Sequence, residues 1–319
     1  MKPEHTPAQT VVHARDVRMT YGAVDVLHGV DLDIHRGEVF ALLGPNGAGK
    51  TTTVEILEGF RRRSAGEVSV LGTDPERGDD AWRGRIGLVL QSWRDHRRWR
   101  VAELLTHFAT YYPDPRDPAE LLALVGLTDQ AARRVDRLSG GQRRRLDVAL
   151  GIVGRPQLLF LDEPTTGFDP EARHEFHVLV ERLARDEGVT VLLTTHDLVE
   201  AERLADRIAM LVGGRIRACG TPAELARRAA AQAEVRWTAD DGTSRRERTA
   251  DPSRLVWELH QQADGPIAGL EVRRPTLEDT YLHMVRREAD GTGGYADDGA
   301  DGADGDTGEG NTDKETQAA

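Results

Sequence analysis

The stretch Gly44-Pro45-Asn46-Gly47-Ala48-Gly49-Lys50-Thr51 decides the fold class of this chain. It follows the apolar run 39–43 and opens a segment of helical character that extends towards Phe60. Glycines in such a turn let successive backbone N–H groups point inward around phosphate oxygens, and the helix N-terminus adds partial positive charge. Because both the residues and their setting match, the stretch predicts a phosphate-binding loop between a strand and a helix.

The loop and the two threonines after it supply the candidate phosphate ligands. We expect the ammonium of Lys50 to reach the β- and γ-phosphates and the hydroxyl of Thr51 to bind a magnesium ion. The full set of candidate ligands is Gly44, Pro45, Asn46, Gly47, Ala48, Gly49, Lys50, Thr51 and Thr52.

Short apolar runs alternate with amphipathic segments on both sides of the loop, which is typical of a layered α/β domain. We expect this domain to span residues 12–225. The runs 39–43, 86–90, 157–161 and 189–194 are predicted to be buried strands at the centre of its sheet. Residues 101–153 have helical spacing without a strand, so we expect a helical subdomain over about 95–153.

An acidic pair, Asp162 and Glu163, ends the third of these apolar runs. A central strand would deliver both carboxylates to the carboxyl edge of the sheet, where the phosphate-binding loop also lies. We expect Asp162 to be the carboxylate on the magnesium side and Glu163 to be the general base for water. An acidic pair after a strand can equally be a solvated strand end.

The pentapeptide Leu138-Ser139-Gly140-Gly141-Gln142 forms a second candidate anion site. Ser139 offers a hydroxyl, the glycines permit close backbone approach, and a helix follows at once. By itself the pentapeptide could be a helix cap on Ser139 with a glycine hinge. Together with the phosphate-binding loop, and with Gln142 placed 20 positions before Asp162, it makes the chain resemble the ATP-binding cassettes of ABC transporters.

The resemblance covers residues 12 to about 225 and implies roles for four more residues. Tyr21 matches the aromatic side chain that stacks on adenine, although it could be an ordinary exposed strand tyrosine. Gln91 matches the glutamine that touches magnesium and senses the membrane partner. Asp169 matches the loop that links two cassettes, and His196 matches the switch histidine that contacts the γ-phosphate, although a surface or capping histidine is the alternative.

The resemblance also implies the cofactors, the pairing and the partner. ATP and Mg²⁺ would be bound between two copies of the chain, arranged head to tail, that drive a separate transmembrane permease. One copy would supply Lys50, Thr51, Gln91, Asp162, Glu163 and His196, and the other Ser139, Gly141 and Asp169. Gly140 and Gln142 of the signature are also expected to bind the nucleotide. The chain is expected to hydrolyse ATP, in the cytoplasm, on the inner face of the membrane.

The C-terminal third has a different composition. Predicted elements are a strand at 235–238, a helix at 252–262, a strand at 270–273 and a helix at 276–285, which suggest a small α/β accessory domain over 233–287. Residues 288–319 hold almost no large apolar side chain, so we expect a disordered acidic tail. The segment 274–282 resembles the C-terminal segment of bacterial drug-resistance exporter cassettes of the daunorubicin type.

Charge and composition exclude several function classes. The net charge is -12, and nine acidic residues in 290–319 against the single Lys314 account for most of it. Arginine runs occur at 61–63, 97–100 and 143–145, and we interpret them as solvated faces, so no nucleic-acid partner is expected. The single cysteine, Cys219, allows no intrachain disulfide and favours a reducing compartment.

The N-terminal residues lack the apolar core of a signal peptide, and no window approaches the roughly 20 apolar residues of a membrane span. Membrane contact is therefore expected only through the permease. An exporter of drugs, antibiotics or other hydrophobic compounds is favoured. The alternatives are an importer ATPase, which shares every motif, and a soluble ABC protein without a transport role.

Overall fold

The computed structural model describes most of the cassette and part of the C-terminal region. The described residues are 9–89, 96–229, 233–239, 241–262, 265–273 and the positions 276, 278, 279, 281 and 285. Gln91, most of the predicted helix 276–285 and the tail 288–319 therefore lie outside the described residues.

Twelve strands occur in the described residues. They are β1 Thr10–Tyr21, β2 Val24–His35, β3 Val39–Leu43, β4 Ala65–Val70, β5 Ile86–Val89, β6 Leu158–Asp162, β7 Thr190–Thr195, β8 Arg207–Val212, β9 Arg215–Gly220, β10 Ala233–Thr238, β11 Ser244–Thr249 and β12 Glu271–Arg273.

Nine α-helices occur in the same residues, with 3-10 turns at Pro75–Arg77, Thr128–Gln130 and Val135–Arg137. The helices are α1 Lys50–Leu57, α2 Asp80–Arg83, α3 Val101–Ala109, α4 Pro118–Leu124, α5 Gly140–Ile152, α6 Pro170–Arg185, α7 Leu198–Leu204, α8 Pro222–Ala229 and α9 Pro252–Gln262. None of the helices that the structure describes is both long and apolar enough to cross a bilayer.

A six-stranded sheet forms the middle of the cassette, in the order β5-β6-β7-β3-β8-β9. All neighbouring pairs are parallel except β8 with β9. Every residue of β3 and β7 is buried, because a parallel sheet is covered on both faces. The sequence of β3 is accordingly apolar throughout, and β7 has an apolar centre, residues 191–193. The α/β layered fold expected from the sequence is confirmed.

The expectation that the first four predicted strands form the sheet centre is wrong for β5. Among the described strands β5 has a partner on one side only, β6, whereas β8 lies beside β3 towards the middle. Hydrophobic runs identify strands but do not order them, since the order depends on which helices cross over the sheet. β8 (Arg-Ile-Ala-Met-Leu-Val) is as apolar as the strands that were predicted.

A second sheet, antiparallel and ordered β2-β1-β4, precedes and follows the phosphate-binding loop in sequence. Its inner face packs with one side of the six-stranded sheet in a common core that includes Val12, Ile34 and Phe40. The opposite side of the six-stranded sheet packs with helices of the segment 101–153, including Leu104, Leu105 and Leu146. The central sheet is therefore sandwiched between a β layer and a helical layer.

The C-terminal region forms a third sheet, ordered β11-β10-β12, with α9 beside β10. The helix begins and ends at the predicted residues, Pro252 and Gln262. Strand β10 is longer than predicted and begins at Ala233, and the hairpin strand β11 was not predicted because its sequence, Ser-Arg-Arg-Glu-Arg-Thr, is exposed and polar. Tyr281 packs against the core of the cassette.

Candidate nucleotide site

The phosphate-binding loop connects β3 to α1 and depends on glycine at two tight positions. Gly49, the residue before α1, has φ 103°, and a Cβ there would lie 2.6 Å from Cδ2 of Leu27. A Cβ on Gly44 would lie 2.3 Å from the carbonyl oxygen of Leu211. These positions admit only glycine without displacing β2 or β8, so the surrounding strands hold the loop in one conformation.

The loop borders a cavity of about 420 Å³ at the carboxyl edge of the sheet. Asp162 and Glu163 face the loop across this cavity, as the strand order requires, since β6 is two strands from β3. The lining residues are Val26, Asn46, Gly47, Gly49, Lys50, Thr51, Thr52, Asp162 and Glu163.

Lys50 is buried, although its ammonium is within reach of the cavity. Its Nζ donates hydrogen bonds to the carbonyl oxygens of Gly44 at 2.8 Å and Pro45 at 3.2 Å. Burial lowers the pKa of Lys50, and the carboxylates of Glu163 and Asp162 oppose that shift. The side chain is thus folded back over the loop that would hold phosphates.

Thr194 of β7 positions both carboxylates of the acidic pair. Its hydroxyl donates to Oδ1 of Asp162 at 2.6 Å and accepts from the backbone N–H of Glu163 at 3.0 Å. β6 ends at Asp162, and Glu163 takes a positive φ of 41°, a conformation that non-glycine residues rarely adopt. The chain turns sharply between the two carboxylates, so they point to different places.

The carboxylate of Glu163 lies close to both the ammonium of Lys50 and the imidazole of His196. Its Oε1 is 3.6 Å from Nζ of Lys50 and 3.3 Å from Nδ1 of His196. His196 follows β7 directly, and its side chain is 50% exposed. The structure thus brings three of the four predicted catalytic residues together, and the fourth, Gln91, lies outside the described residues.

Oxygen donors in the cavity fit a magnesium ion. The hydroxyl of Thr51 and the carboxylate of Asp162 both line it, and hard oxygen ligands are the ones that Mg²⁺ prefers, with water and phosphate oxygens completing the shell. A bound magnesium ion would neutralise charge on the phosphates.

The signature pentapeptide forms the start of α5, and its residues Ser139 and Gly140 are exposed. Oγ of Ser139 accepts from the N–H of Gln142 at 3.2 Å, and Oε1 of Gln142 accepts from the N–H of Ser139 at 3.1 Å. This is a capping box, so within one chain the helix-cap interpretation of Ser139 is also correct. Among the described residues that line the cavity of Lys50, none belongs to the pentapeptide.

The pentapeptide lies beside the start of α6, which Asp169 caps. Oδ1 of Asp169 accepts from the N–H of Ala172 at 2.8 Å, and a Cβ on Gly141 would lie 3.0 Å from Cβ of Ala172. The structure therefore groups the residues that the resemblance assigns to the opposite copy on one surface, separate from the cavity. A single chain does not bring Ser139 and Asp169 to its own phosphate-binding loop.

Tyr21, the candidate adenine-stacking residue, ends β1 and is 38% exposed. The guanidinium carbon of Arg61 lies 4.9 Å from the centroid of its ring, a cation–π distance. Arg61 itself pairs with Glu55 at 2.6 Å. One face of the tyrosine ring is thus covered by an arginine, so adenine would stack on the other face.

Arg144 is a site residue that the sequence analysis missed. The run 143–145 was interpreted as a solvated face, but Arg144 is only 6% exposed. Its guanidinium donates to the carbonyl oxygens of Asp162 at 2.8 Å and Pro164 at 3.1 Å. It thus ties the helix after the signature to the strand that carries the acidic pair. Val148, one helical turn after Arg144, is apolar, and it offered only a weak signal of this burial.

Comparison with known proteins places the chain in a family. A family model described as "ABC transporter" matches residues 27–166. The Nod factor export ATP-binding protein I of Cupriavidus pinatubonensis is 43% identical over 227 residues, or 69% of either chain. A daunorubicin resistance ATP-binding protein of Streptomyces coeruleorubidus is 36% identical over 311 residues, or 87% of this chain and 96% of that protein.

Solved structures with a similar fold indicate the same family. A dimeric ATP-binding cassette in a post-hydrolysis state, bound to ADP and Pi, has a TM-score of 0.59 and 25% identity, with 66% of this chain and 98% of that chain covered. Sequence, fold and site geometry lead to one conclusion: the chain belongs to the ABC transporter family, as a subunit that binds and hydrolyses ATP.

Proposed function

We propose that two copies of this chain close head to tail around two ATP–Mg²⁺ and so drive a separate permease that exports small hydrophobic or amphipathic compounds. The observation that carries the proposal is that Glu163, which lines the cavity with Lys50, has its Oε1 3.6 Å from Nζ of Lys50 and 3.3 Å from Nδ1 of His196. The exposed pairing of the signature with Asp169, away from that cavity, supports a site that is completed by a second copy.

Each residue has one role in the proposed reaction. Lys50 binds the β- and γ-phosphates, and the backbone N–H groups of the loop bind their oxygens. Glu163 accepts a proton from the attacking water, and His196 holds the γ-phosphate from the open side. Thr51 and Asp162, with Gln91, would hold the magnesium ion.

The remaining roles concern the second copy of the chain and the adenine ring of ATP. Ser139, Gly140, Gly141 and Gln142 would contact the γ-phosphate across the interface, so that the site is complete only in the closed pair. Asp169 would join the two copies at the same interface. Tyr21 would stack on adenine with the ring face that Arg61 leaves open.

Export is supported by two relatives, of which one is named for Nod factor export and the other for daunorubicin resistance. The match to the second relative extends over 87% of this chain, and therefore beyond the cassette. We propose that the chain reaches the inner face of the cell membrane only by binding its permease.

Two measurements test the proposal. ATP hydrolysis should rise more steeply than linearly with protein concentration, because only pairs hydrolyse, and EDTA should abolish it. Inverted vesicles that contain the chain and its copurifying permease should take up a hydrophobic amine dye with ATP, and not with Lys50→Ala. Hydrolysis that is proportional to protein concentration would contradict pairing, and ATP-driven movement of the dye out of these vesicles would contradict export.

A further inference from the structure

The C-terminal sheet has an open face. Along β10, Ala233 and Val235 are 3% and 0% exposed, and they alternate with Glu234 and Arg236. Successive side chains of a strand point to opposite faces of the sheet. Because Arg236 is exposed, the face that carries Glu234 and Arg236 is open to solvent.

The open face is rich in arginine where β10 pairs with β11. Residues directly opposite each other on antiparallel strands lie on the same face, and the register places Arg248 opposite Glu234 and Arg246 opposite Arg236. Arg246 and Arg248 are exposed. We call these four residues the arginine face, and they carry three positive charges against one negative charge.

Glu234 does not balance the arginine face. Its Oε1 lies 2.5 Å from Nε of Arg236, and its Oε2 lies 3.8 Å from Nε of Arg248. The hydrogen bond from Arg236 lowers the pKa of Glu234, and the positive charges of Arg246 and Arg248 act in the same direction. The carboxylate is therefore already ionised, and it is shared by two arginines.

Arg246 carries the excess charge. Among the described residues no carboxylate lies within ion-pair distance of its guanidinium, and it lies directly opposite Arg236. Like charges in that arrangement destabilise a strand pair. On the other side of β10 the charges are balanced, since Glu271 and Arg273 are opposite in sign and Arg273 pairs with Asp279 at 3.3 Å. An anion at β10 and β11 would remove the imbalance.

The end of the sequence supplies such an anion. Residues 288–319, which lie outside the described residues, hold ten Asp or Glu residues against Lys314. Tyr295 is the one aromatic residue among them, and no Ile, Leu, Met, Phe, Trp or Val is present. This segment, the acidic tail, therefore offers charge rather than apolar surface to a binding partner.

The acidic tail begins within reach of the arginine face. Asp279 is held at β12 by its pair with Arg273, and Glu288 follows nine residues later. Nine residues span about 14 Å as a helix and about 15–18 Å as a coil. The two outer strands of a three-stranded sheet lie only about 10 Å apart, so the tail can cross from β12 to β11.

The tether also favours the tail over other anions. A short tether holds its segment at an effective concentration of about millimolar, whereas an anion in solution reaches the same site only by its own affinity. Exposed ion pairs are individually weak, so that affinity is low. The arginine face also has no aromatic side chain on which a nucleic-acid base could stack.

We propose that the acidic tail, residues 288–319, docks on the arginine face of the same chain, with its carboxylates against Arg246, Arg236 and Arg248. The contact consists of exposed ion pairs, so it depends on ionic strength: the Debye length is about 30 Å at about 0.01 M salt and about 3 Å at about 1 M. The tail is therefore docked at low salt and released at high salt. The contact uses no residue of the nucleotide site, and it does not depend on the proposed transport function.

Chemical crosslinking of the full-length chain tests the contact, because the chain has only three lysines, Lys2, Lys50 and Lys314. Arg246→Lys keeps the charge and puts one amine on the arginine face. A carbodiimide should then join this amine to a carboxylate of the tail, and mass spectrometry of the digested monomer identifies the linked peptides. Arg245→Lys is the matched control, since Arg245 is exposed on the same strand and points to the opposite face.

The yield of tail links at low salt should be about fivefold higher from Arg246→Lys than from Arg245→Lys, and high salt should abolish the difference. Equal yields at low salt, or no link from position 246 to the tail, would overturn the proposal. Links that form only between two chains, with a yield that rises with protein concentration, would exclude docking within one chain.

Substitutions on each side of the contact test it without crosslinking. A glutamate-specific protease should cleave after Glu309 about threefold or more slowly in the wild type than in Arg236→Gln/Arg246→Gln at low salt, because a docked tail is protected. Arg245→Gln should keep the wild-type rate. Asparagine at four aspartate positions of the tail should raise the rate to that of the double variant; the positions are Asp297, Asp298, Asp301 and Asp304. The same cleavage rate in all these proteins would contradict docking.

Phosphatidylglycerol vesicles test the main alternative occupant, an anionic membrane. The wild-type chain should not float with these vesicles at low salt, because the tail covers the arginine face. Flotation of the wild type that Arg236→Gln/Arg246→Gln abolishes would show that a membrane occupies the arginine face in place of the tail, and it would overturn the proposal.

Discussion

The ammonium of Lys50 lies 3.6 Å from Oε1 of Glu163. Both side chains are assigned to the same γ-phosphate, one as a ligand and the other as the base for its attacking water. A bound phosphate would compete with Glu163 for the ammonium, so binding of ATP and release of Glu163 are linked.

Glu163→Gln should slow ATP turnover by about 10²-fold or more, because the proton acceptor is lost while the ligands of the phosphates remain. ATP would then persist, and the variant should elute as an ATP-dependent dimer in size-exclusion chromatography. Glu202→Gln serves as the control, and Lys50→Ala should instead lose nucleotide binding. If Glu163→Gln turned over ATP at the wild-type rate, Glu163 could not be the general base.

Adding Ser139→Arg to Glu163→Gln should return the protein to a monomer. The large cation replaces a small exposed hydroxyl that the proposal places at the partner's γ-phosphate, while the phosphate-binding loop is untouched. Binding of a fluorescent ATP analogue should therefore be preserved. Ser253→Arg, at an exposed position of α9, should leave the dimer intact, and a dimer that survives Ser139→Arg would exclude the trans role of Ser139.

Thr194→Val should lower kcat by about tenfold to a hundredfold, with a small change in KM for ATP. The valine keeps the shape but removes the hydroxyl that bridges Asp162 and the backbone of Glu163. Thr194→Ser keeps the hydroxyl and should retain most of the activity. Equal activities of the valine and serine variants would show that the bridge does not position the carboxylates.

Arg144→Leu should lower the free energy of unfolding by about 1–3 kcal/mol, because two buried carbonyl groups lose their donor. Arg144→Lys should not restore it fully, since an ammonium cannot reproduce the guanidinium geometry. Urea unfolding monitored by circular dichroism measures both. Arg182→Leu, at an exposed position of α6, is the control and should change stability little.

The buried carboxyl of Glu58 should make stability fall as pH rises. Its folded pKa, about 8, is above the unfolded value of 4.5, so between these values the folded state binds more protons than the unfolded state. The stabilisation from the protonated form is complete below about pH 4.5 and is lost as pH rises to about 8.

Glu58→Gln removes this pH dependence. As pH rises from 5 to 9, the free energy of unfolding of the variant should therefore increase relative to that of the wild type, by about a few kcal/mol. Thermal unfolding of both proteins across that range measures the difference. Asp147 shifts in the same direction, to about 6, but is present in both proteins and cancels. A constant difference between the two melting temperatures would show that Glu58 is ionised in the folded chain at neutral pH.

The sequence by itself determined the class of the fold and the chemistry of the phosphate-binding loop. Both depend on local requirements: glycine at the tight positions 44 and 49, a strand before the loop and a helix after it. The acidic pair and the signature could also be identified, because short motifs keep their spacing. The roles given to the individual site residues, Tyr21 and Asp169 among them, stay predictions.

Only the tertiary structure decided which strand lies at the edge of the sheet, what surrounds Arg144 and where Glu58 is buried. Residues 144 and 58 are charged, and their local sequence resembles a solvated helix face and a helix end. Arg144 is hydrogen-bonded to the end of β6, and Glu58 lines a cavity together with residues of β5, and both strands are distant in the chain. Hydrophobic periodicity records which face of a segment is apolar, but not which distant segment covers it, and that covering determines the charge states of these side chains.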